Sequence, residues 1–276
     1  MNPHAPAPTS LASLLLSLWN HRELIVQMTK REVIGRYKGS VMGLMWSFAN
    51  PILLLAMYTL VFSVVFKARW GADPTESKMH FAVLLFAGMI VHSLFSETLI
   101  RAPGLILANV SYVKKIVFPL EILPVIAMGA SVFHAAVSLL VLGISLIIVN
   151  GFLPWTALFL PFVLLPLIVF SLGIAWALAS LGVFLRDVAH PISLTMTILL
   201  FASPVFYPVS SLPEYLRPWL MLNPLTFIIE QVRAVMIVGV LPHFYGLLLY
   251  AFLSMIIAWF GYAWFQKTRK GFANVL

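Results

Sequence analysis

The sequence predicts an all-α membrane protein. It should have six transmembrane helices, an N-terminal amphipathic interface helix, and two short re-entrant helices on the outer side between spans five and six. Three observations lead there. Of 276 residues, 62% are hydrophobic and only 9% charged, whereas soluble domains run to about 25% charged. The few charges leave apolar runs long enough to cross a bilayer, which takes roughly 20 residues for a core of about 30 Å. Once those runs are read as spans, Lys and Arg fall mainly on one side, the signature of cytoplasmic loops. This composition excludes soluble enzymes, disordered chains and nucleic-acid binders. The net charge of +8 is spread thinly between apolar runs, so it reads as an orientation signal. With no cysteine in the chain, disulfides and Cys-based metal sites are excluded.

Residues 1–40 read as a cytoplasmic N-terminus and interface helix, and 41–276 as the six-helix membrane domain. Met1–Ser10 has no Lys or Arg, so no basic region of a secretory signal is expected. Within 11–38, Leu11, Leu14, Leu15, Leu18 and Ile25 recur at helical spacing before a basic stretch, the pattern of an amphipathic helix lying in the membrane interface. Gly35, Gly39 and Gly43 follow every four residues, with Ser47 next, a spacing that permits close helix approach. Charge-free runs place spans at 44–66 and 80–101. The long uncharged run Ile122–Leu185 is split by Asn150-Gly151 and Pro154-Trp155, which are turn residues. It therefore gives two antiparallel spans, 120–149 and 156–184. A fifth span covers 190–207, and a sixth 243–266. Between these last two, Ser211–Leu220 and Pro224–Val238 each read as a short helix, the second opened by proline at its first position. Both are apolar on the outside, so they should dip back and pack against protein. With both termini inside, twelve Lys/Arg lie on the cytoplasmic side and five outside. The chain shows no internal repeat of 20–50 residues.

The chain has no G-x-x-x-x-G-K-[ST], no G-x-G-x-x-G, no H-E-x-x-H and no G-x-S-x-G, so no nucleotide loop, metalloprotease helix or nucleophile elbow is expected. His92 reads as a packed, hydrogen-bonded histidine. Glu32/Arg36 and Glu97/Arg101 are spaced i,i+4, and Glu214/Arg217 and Glu230/Arg233 i,i+3, where helical neighbours can pair. For Glu214/Arg217 neutralisation suffices. Glu97 and Glu230 are bounded by apolar residues. A charge at a span centre costs about 2.5–3.5 kcal/mol on insertion scales, so Glu97 and Glu230 stand out as functional candidates. Among 37 aromatic residues, Trp46, Tyr58, Phe62, Phe201, Phe206 and Tyr207 are candidates to line a conduit, because sugars lie well on aromatic faces.

Arg36-Tyr37-Lys38-Gly39-Ser40-Val41-Met42-Gly43-Leu44-Met45-Trp46, followed by Asn50-Pro51, resembles the membrane subunits of bacterial polysaccharide exporters. These are type-2 permeases of the ATP-binding cassette class, for O-antigen, capsule or teichoic acid. Three further segments carry the same resemblance: Asn109–Pro119 with Ile122-Leu123-Pro124, Phe184-Leu185-Arg186-Asp187-Val188, and Ser203–Pro208 continuing to Asn223-Pro224-Leu225-Thr226. Together they span about residues 20–266.

The resemblance implies a homodimer in the bacterial inner membrane with two nucleotide-binding ATPase subunits on its cytoplasmic side. ATP and Mg would be bound by those partners, and this chain would hold no cofactor. The loop 102–119 would be the coupling segment, with Lys114, Lys115 and Phe118 touching the ATPase. Arg36 and Tyr37 end the interface helix that also meets it, and Arg186 and Asp187 form a second contact. The two outer helices would be a periplasmic gate containing Asn223, Pro224, Glu230 and Arg233. The outer loop 67–80 is short and suggests no added domain. The short C-terminal region would leave any polymer-recognising domain to the ATPase. The implied substrate is a lipid-linked glycan on a polyprenyl diphosphate, passing through a channel at the dimer interface. An exporter of drugs or small lipids would instead show a lateral cleft. A secondary transporter would show inverted repeats and charged mid-membrane residues, and spans three to five carry no charge. An intramembrane hydrolase lacks its catalytic constellation here.

Overall fold

The computed structural model describes residues 9–65, 78–114 and 118–276. Every described element is helical. The outer loop 67–80 falls largely, and Lys115 wholly, outside the described residues.

The N-terminal region forms two helices, α1 (Leu11–Asn20) and α2 (Arg22–Arg36), joined at His21. Ser10 caps α1, its hydroxyl accepting the Ser13 amide at 3.2 Å, which satisfies one of the free donors of a first turn. The next element is α3 (Trp46–Tyr58), continued by a π-helical stretch Thr59–Val65. The Gly35, Gly39 and Gly43 series does not form a packing stripe. Gly39 and Gly43 have φ of +87° and +49°, and a Cβ on any of the three would meet nothing within 4 Å. Gly39 and Gly43 turn the chain between α2 and α3, whereas Gly35 lies within α2. Left-handed backbone is where glycine carries no Cβ penalty, so the turn itself accounts for Gly39 and Gly43.

Helix α4 (Lys78–Arg101) is the centre of the bundle, with nearly all its described apolar residues buried. It leads through 3-10 turns at Ala102–Gly104 and Leu107–Asn109 to α5 (Val110–Lys114). The paired long helices are α6 (Ile122–Asn150) and α7 (Leu160–Phe184). Gly151, at φ +80°, stops α6 by its amide donating to the Ile147 carbonyl at 2.9 Å. The final long helix, α11 (Phe244–Thr268), runs into the short α12 (Phe272–Val275).

Five helical stretches are long and apolar enough to cross a membrane: Gly43–Phe62, Phe81–Gly104, Ile122–Asn150, Trp155–Phe184 and Phe244–Val275. The region expected as span five is different. Its helix α8 (Ala189–Ala202) has 14 residues, about 21 Å at 1.5 Å per residue, and then breaks at Ser203-Pro204. Proline cannot donate a helix hydrogen bond. Of the two outer helices, the second is present as α10 (Pro224–Arg233) with a π-helical continuation Ala234–Val238. The first is shorter than expected, only α9 (Arg217–Met221).

Two hydrophobic cores hold these elements. The larger gathers α4, α10 and the middle of α6 and α7. The second lies at the end of the bundle that carries Arg186 and Arg269, and joins α1, the start of α6, the end of α7 and α11 with α12. Helix α7 meets α11 without a side-chain layer. A Cβ on Gly261 would overlap the Gly173 carbonyl oxygen, and one on Gly173 would lie 2.7 Å from Ala258 Cα. Small residues allow such backbone approach in membranes, where burial of apolar surface does not drive helices together.

Candidate functional site: a charged lock, an aromatic row and a pinned helix break

The closest pairs between the charges of α2 and α4 run across the two helices. Arg36 Nη1 lies 2.7 Å from Glu97 Oε1, and Arg101 pairs with Glu32. The local Glu97–Arg101 pair is looser, at 3.9 Å. The i,i+4 pairing read from spacing is thus replaced, for Glu32 and Arg36, by a reciprocal exchange between two helices. Glu97 also meets His134 Nδ1 of α6 at 3.2 Å, and Tyr37 Oη is 3.3 Å from His134 Nε2. Glu97 therefore has partners on α2, α4 and α6, which is what a carboxylate in an apolar span requires. Burial raises the Tyr37 hydroxyl pKa, with Arg36 opposing and Glu97 reinforcing the shift. Arg36 and Tyr37 are consequently turned toward the bundle. A cleft of about 300 Å3 is lined by Glu32, Arg36, Arg101, Ala130 and His134. A smaller cavity of about 70 Å3 shares His134 and reaches Tyr58.

Tyr58 is also the first ring of a row. Its centroid lies 6.5 Å from Phe62, which lies 6.1 Å from Phe206, which stacks on Phe201 at 5.5 Å. Phe62 also stacks on the buried Phe81 at 5.7 Å. Centroid spacings of 4.5–7 Å are favourable for aromatic pairs. Four of the six aromatic candidates are thus brought together from α3 and the end of α8. Tyr207 joins through its hydroxyl, which donates to the Phe201 carbonyl at 3.2 Å. Trp46 sits at the start of α3, apart from this row.

The break after α8 exposes carbonyls that two side chains collect. Arg233 is 3% exposed and donates to the carbonyls of Pro204 at 2.7 Å, Val205 at 3.1 Å and Leu84 at 3.1 Å. It also pairs with Glu230 at 2.8 Å. Burial lowers its pKa to about 10, with Glu230 opposing the shift, so it remains charged at neutral pH. Asn223 Nδ2 donates to Ala202 O and Ser203 Oγ at 3.2 and 2.8 Å, while its Oδ1 accepts the Leu225 amide at 2.9 Å and caps α10. Pro224 supplies its carbonyl to Tyr250 Oη at 3.0 Å. A buried carbonyl left unpaired is costly, so irregular backbone at this depth needs such partners. Glu230, only part-buried, acts here as the counter-charge of Arg233.

At the other end, Arg186 and Asp187 are exposed in a 3-10 turn after α7. Lys114 ends α5. Phe118 is 8% exposed and stacks on Tyr112 at 4.4 Å, so its ring packs beneath α5 and is not presented outward. His92 is buried, its Nε2 3.0 Å from the Met196 carbonyl. One residue escaped the sequence reading. Glu121, beside the long apolar run, is buried and bonds Ser17 and Arg269 at 2.9 and 2.8 Å. The available signal was an acid bordering 64 uncharged residues, which needed a partner from elsewhere in the chain; the run is Ile122–Leu185.

These features define a multi-pass helical membrane protein with a polar lock at one end and a pinned helix break near the other. The description "ABC-2 type transporter" matches residues 23–237, and the chain belongs to that family: it is a membrane permease component of ATP-binding cassette transporters. It is similar to an O-antigen export system permease protein RfbA of Myxococcus xanthus, 29% identical over 267 residues, 95% of this chain and 98% of the relative. An RfbA of Klebsiella pneumoniae is 27% identical over 92% of this chain and 95% of its own length. The polysialic acid transport protein KpsM of Escherichia coli is 23% identical over 87% and 91%.

Proposed function

We propose that this chain is the permease subunit of an ATP-driven exporter that moves a lipid-linked polysaccharide, such as an O-antigen-like glycan on a polyprenyl diphosphate, from cytoplasm to periplasm. The observation that carries this reading is the end-to-end similarity to export permeases of two glycan types, covering 87–95% of this chain. The aromatic row supports it, because rings give a sugar chain weak contacts that release it again, and conduction requires both.

In this reading the protein works as a homodimer in the inner membrane, with both termini cytoplasmic and a channel at the subunit interface. Helix α8 and the irregular segment 203–208 together make the fifth crossing. The second and third crossings then keep their basic ends on the cytoplasmic side. The diphosphate of the substrate meets Arg and Lys near α2, where charged hydrogen bonds to phosphate are strong. Two ATPase subunits bind ATP and Mg, and contact α5 with Lys114 and Lys115 and the turn with Arg186 and Asp187. Phe118 supports α5 from beneath. Arg36 and Tyr37 join α2 to the lock at Glu97. Asn223, Pro224, Glu230 and Arg233 form the outer gate. ATP-driven closure of the partner can shift the permease only through contacts that differ between its two states.

The test is reconstitution of the chain with its ATPase in proteoliposomes with lipid-linked glycan on the ATPase side. Glycan reaching the opposite side only with hydrolysable ATP is the expected result. Glycan staying on its original side, in vesicles whose ATPase is active, overturns the proposal.

A further inference from the structure

The segment after α11 ties together two parts of the chain that lie far apart in sequence. Arg269 places one arm on Glu121 Oε2 at 2.8 Å and the other on the Phe118 carbonyl at 3.0 Å. Both targets sit where the 102–119 loop enters α6. The fork is the geometry for which an arginine suits two acceptors at once. Glu121 is held in place by the Ser17 hydroxyl at 2.9 Å, and its carbonyl accepts Trp176 Nε1 of α7 at 2.9 Å. Phe118 carries the stack with Tyr112, and Tyr112 Oη accepts Arg31 of α2 at 3.2 Å.

Three residues further on, Phe272 is fully buried and packs its ring 5.9 Å from Phe184. Phe184 is the last residue of α7, two before Arg186. Gly271 makes this approach feasible, since a Cβ there would already lie 3.2 Å from the Phe184 ring. Just before, Thr268 Oγ1 and Ser180 Oγ of α7 are 2.6 Å apart. Thus one short segment holds Phe118 and Glu121, just ahead of α6, by a charged fork and the end of α7 by a ring contact.

We infer that residues 268–275 are a clamp that joins α5 and the Arg186 turn into one docking socket for the ATPase, with Arg269 as its positioning residue. The docking half of this inference rests on the function proposed above; the clamp itself rests on the contacts just described. Without Arg269, Glu121 would keep only Ser17 as a side-chain partner among the described residues, and the Phe118 carbonyl would lose the Arg269 donor. A displacement of either segment would then no longer be passed to the other.

The experiment is hydrogen–deuterium exchange on the full-length protein in nanodiscs, alone and with its ATPase, comparing Arg269→Gln with Arg269→Lys. For Arg269→Gln, exchange is expected to rise at least about tenfold at 107–114 and at 184–188, with α4 and α10 unchanged. ATPase stimulation should fall at least about fivefold. Arg269→Lys keeps the charge against Glu121 and should recover part of both effects. Unchanged exchange at the two segments overturns the clamp, and so does a uniform rise over the whole chain. Exchange that rises locally while stimulation stays at the wild-type level overturns its part in docking. A wild-type chain that neither binds nor stimulates the ATPase defeats the proposed function instead, and leaves the exchange result to judge the clamp.

Discussion

Arg36 meets Glu97 at 2.7 Å, while Arg101, one turn along α4 from Glu97, reaches back to Glu32 of the helix that carries Arg36. Two carboxylates and two guanidiniums are thus exchanged between α2 and α4. Hydrogen bonds to charged groups contribute about 1.5–3 kcal/mol. Glu97→Gln is expected to cost about that much and to loosen α2 from the bundle. Heating in detergent should show earlier aggregation, and proteolysis should cut first between α2 and α3. Exchanging the charges, Arg36→Glu with Glu97→Arg, should recover part of the loss. Equal damage in the single and double variants would contradict a direct pair.

Arg233 is the most heavily engaged cation among those described, with three carbonyls and Glu230 around it. Arg233→Leu removes every donor and should cost about 3–5 kcal/mol, the range for breaking a buried charged pair from one side. Arg233→Lys keeps the charge but not the planar fork, so it should fall between. Gly88→Ala tests the same place from α4. Its Cβ would lie 3.0 Å from Arg233 Nη2 and 3.3 Å from Val205 Cα, an overpacking expected to cost about 1–3 kcal/mol. Thermal stability in a fixed detergent ranks the three. A stable Arg233→Leu protein would show that the break has other means of satisfying its carbonyls.

Gly261→Ala puts a methyl group into the carbonyl of Gly173. Helix α11 must then move off α7. A larger loss is expected than for Gly104→Ala, where a Cβ would meet nothing within 4 Å. Fluorescence-detected gel filtration of the two variants gives the comparison, and matching profiles would exclude the backbone contact.

Substitution in the aromatic row separates packing from transport. Phe62 touches Tyr58, Phe81 and Phe206, whereas Phe201 is 64% exposed and stacks on Phe206. Phe201→Ala should therefore leave folding intact while lowering glycan export several-fold with ATP hydrolysis retained. Phe62→Ala should lower both. Export at the wild-type rate in folded Phe201→Ala protein would remove this ring from the path.

Lys114→Glu with Lys115→Glu reverses the charge at the last residue of α5 and at the residue that follows it in sequence. Insertion into the membrane should be normal and stimulation of the partner ATPase lost. Full stimulation would place the contact elsewhere.

The long helices were legible because charge-free runs and Asn-Gly or Pro breaks mark them directly. Partner choice was not. Spacing rules see only neighbours on the same helix, so Glu32 and Arg36 read as a pair, although the fold brings both within ion-pair reach of α4. The glycine series 35–43 shows a related limit: a four-residue interval looks the same along a helix and across a turn, and the positive φ of Gly39 and Gly43 places those two in the turn. In the fifth span, Pro204 and Pro208 were visible, but apolar continuity outweighed them, and α8 ends at Ala202. The aromatic candidates were chosen by residue type alone. That four of them touch depends on how the break turns Phe206 back toward Phe62.

The bare contact of Gly173 with Gly261 bears on how this molecule can change shape. Two helices meeting through their backbones have no flexible side chains between them to absorb sliding. Helices α7 and α11 are therefore expected to move together. Helix α3, whose apolar side chains are mostly exposed, and the short α8 have far fewer such constraints. Shape change within the bundle is expected first at that edge, beside the aromatic row, relative to the α7–α11 pair.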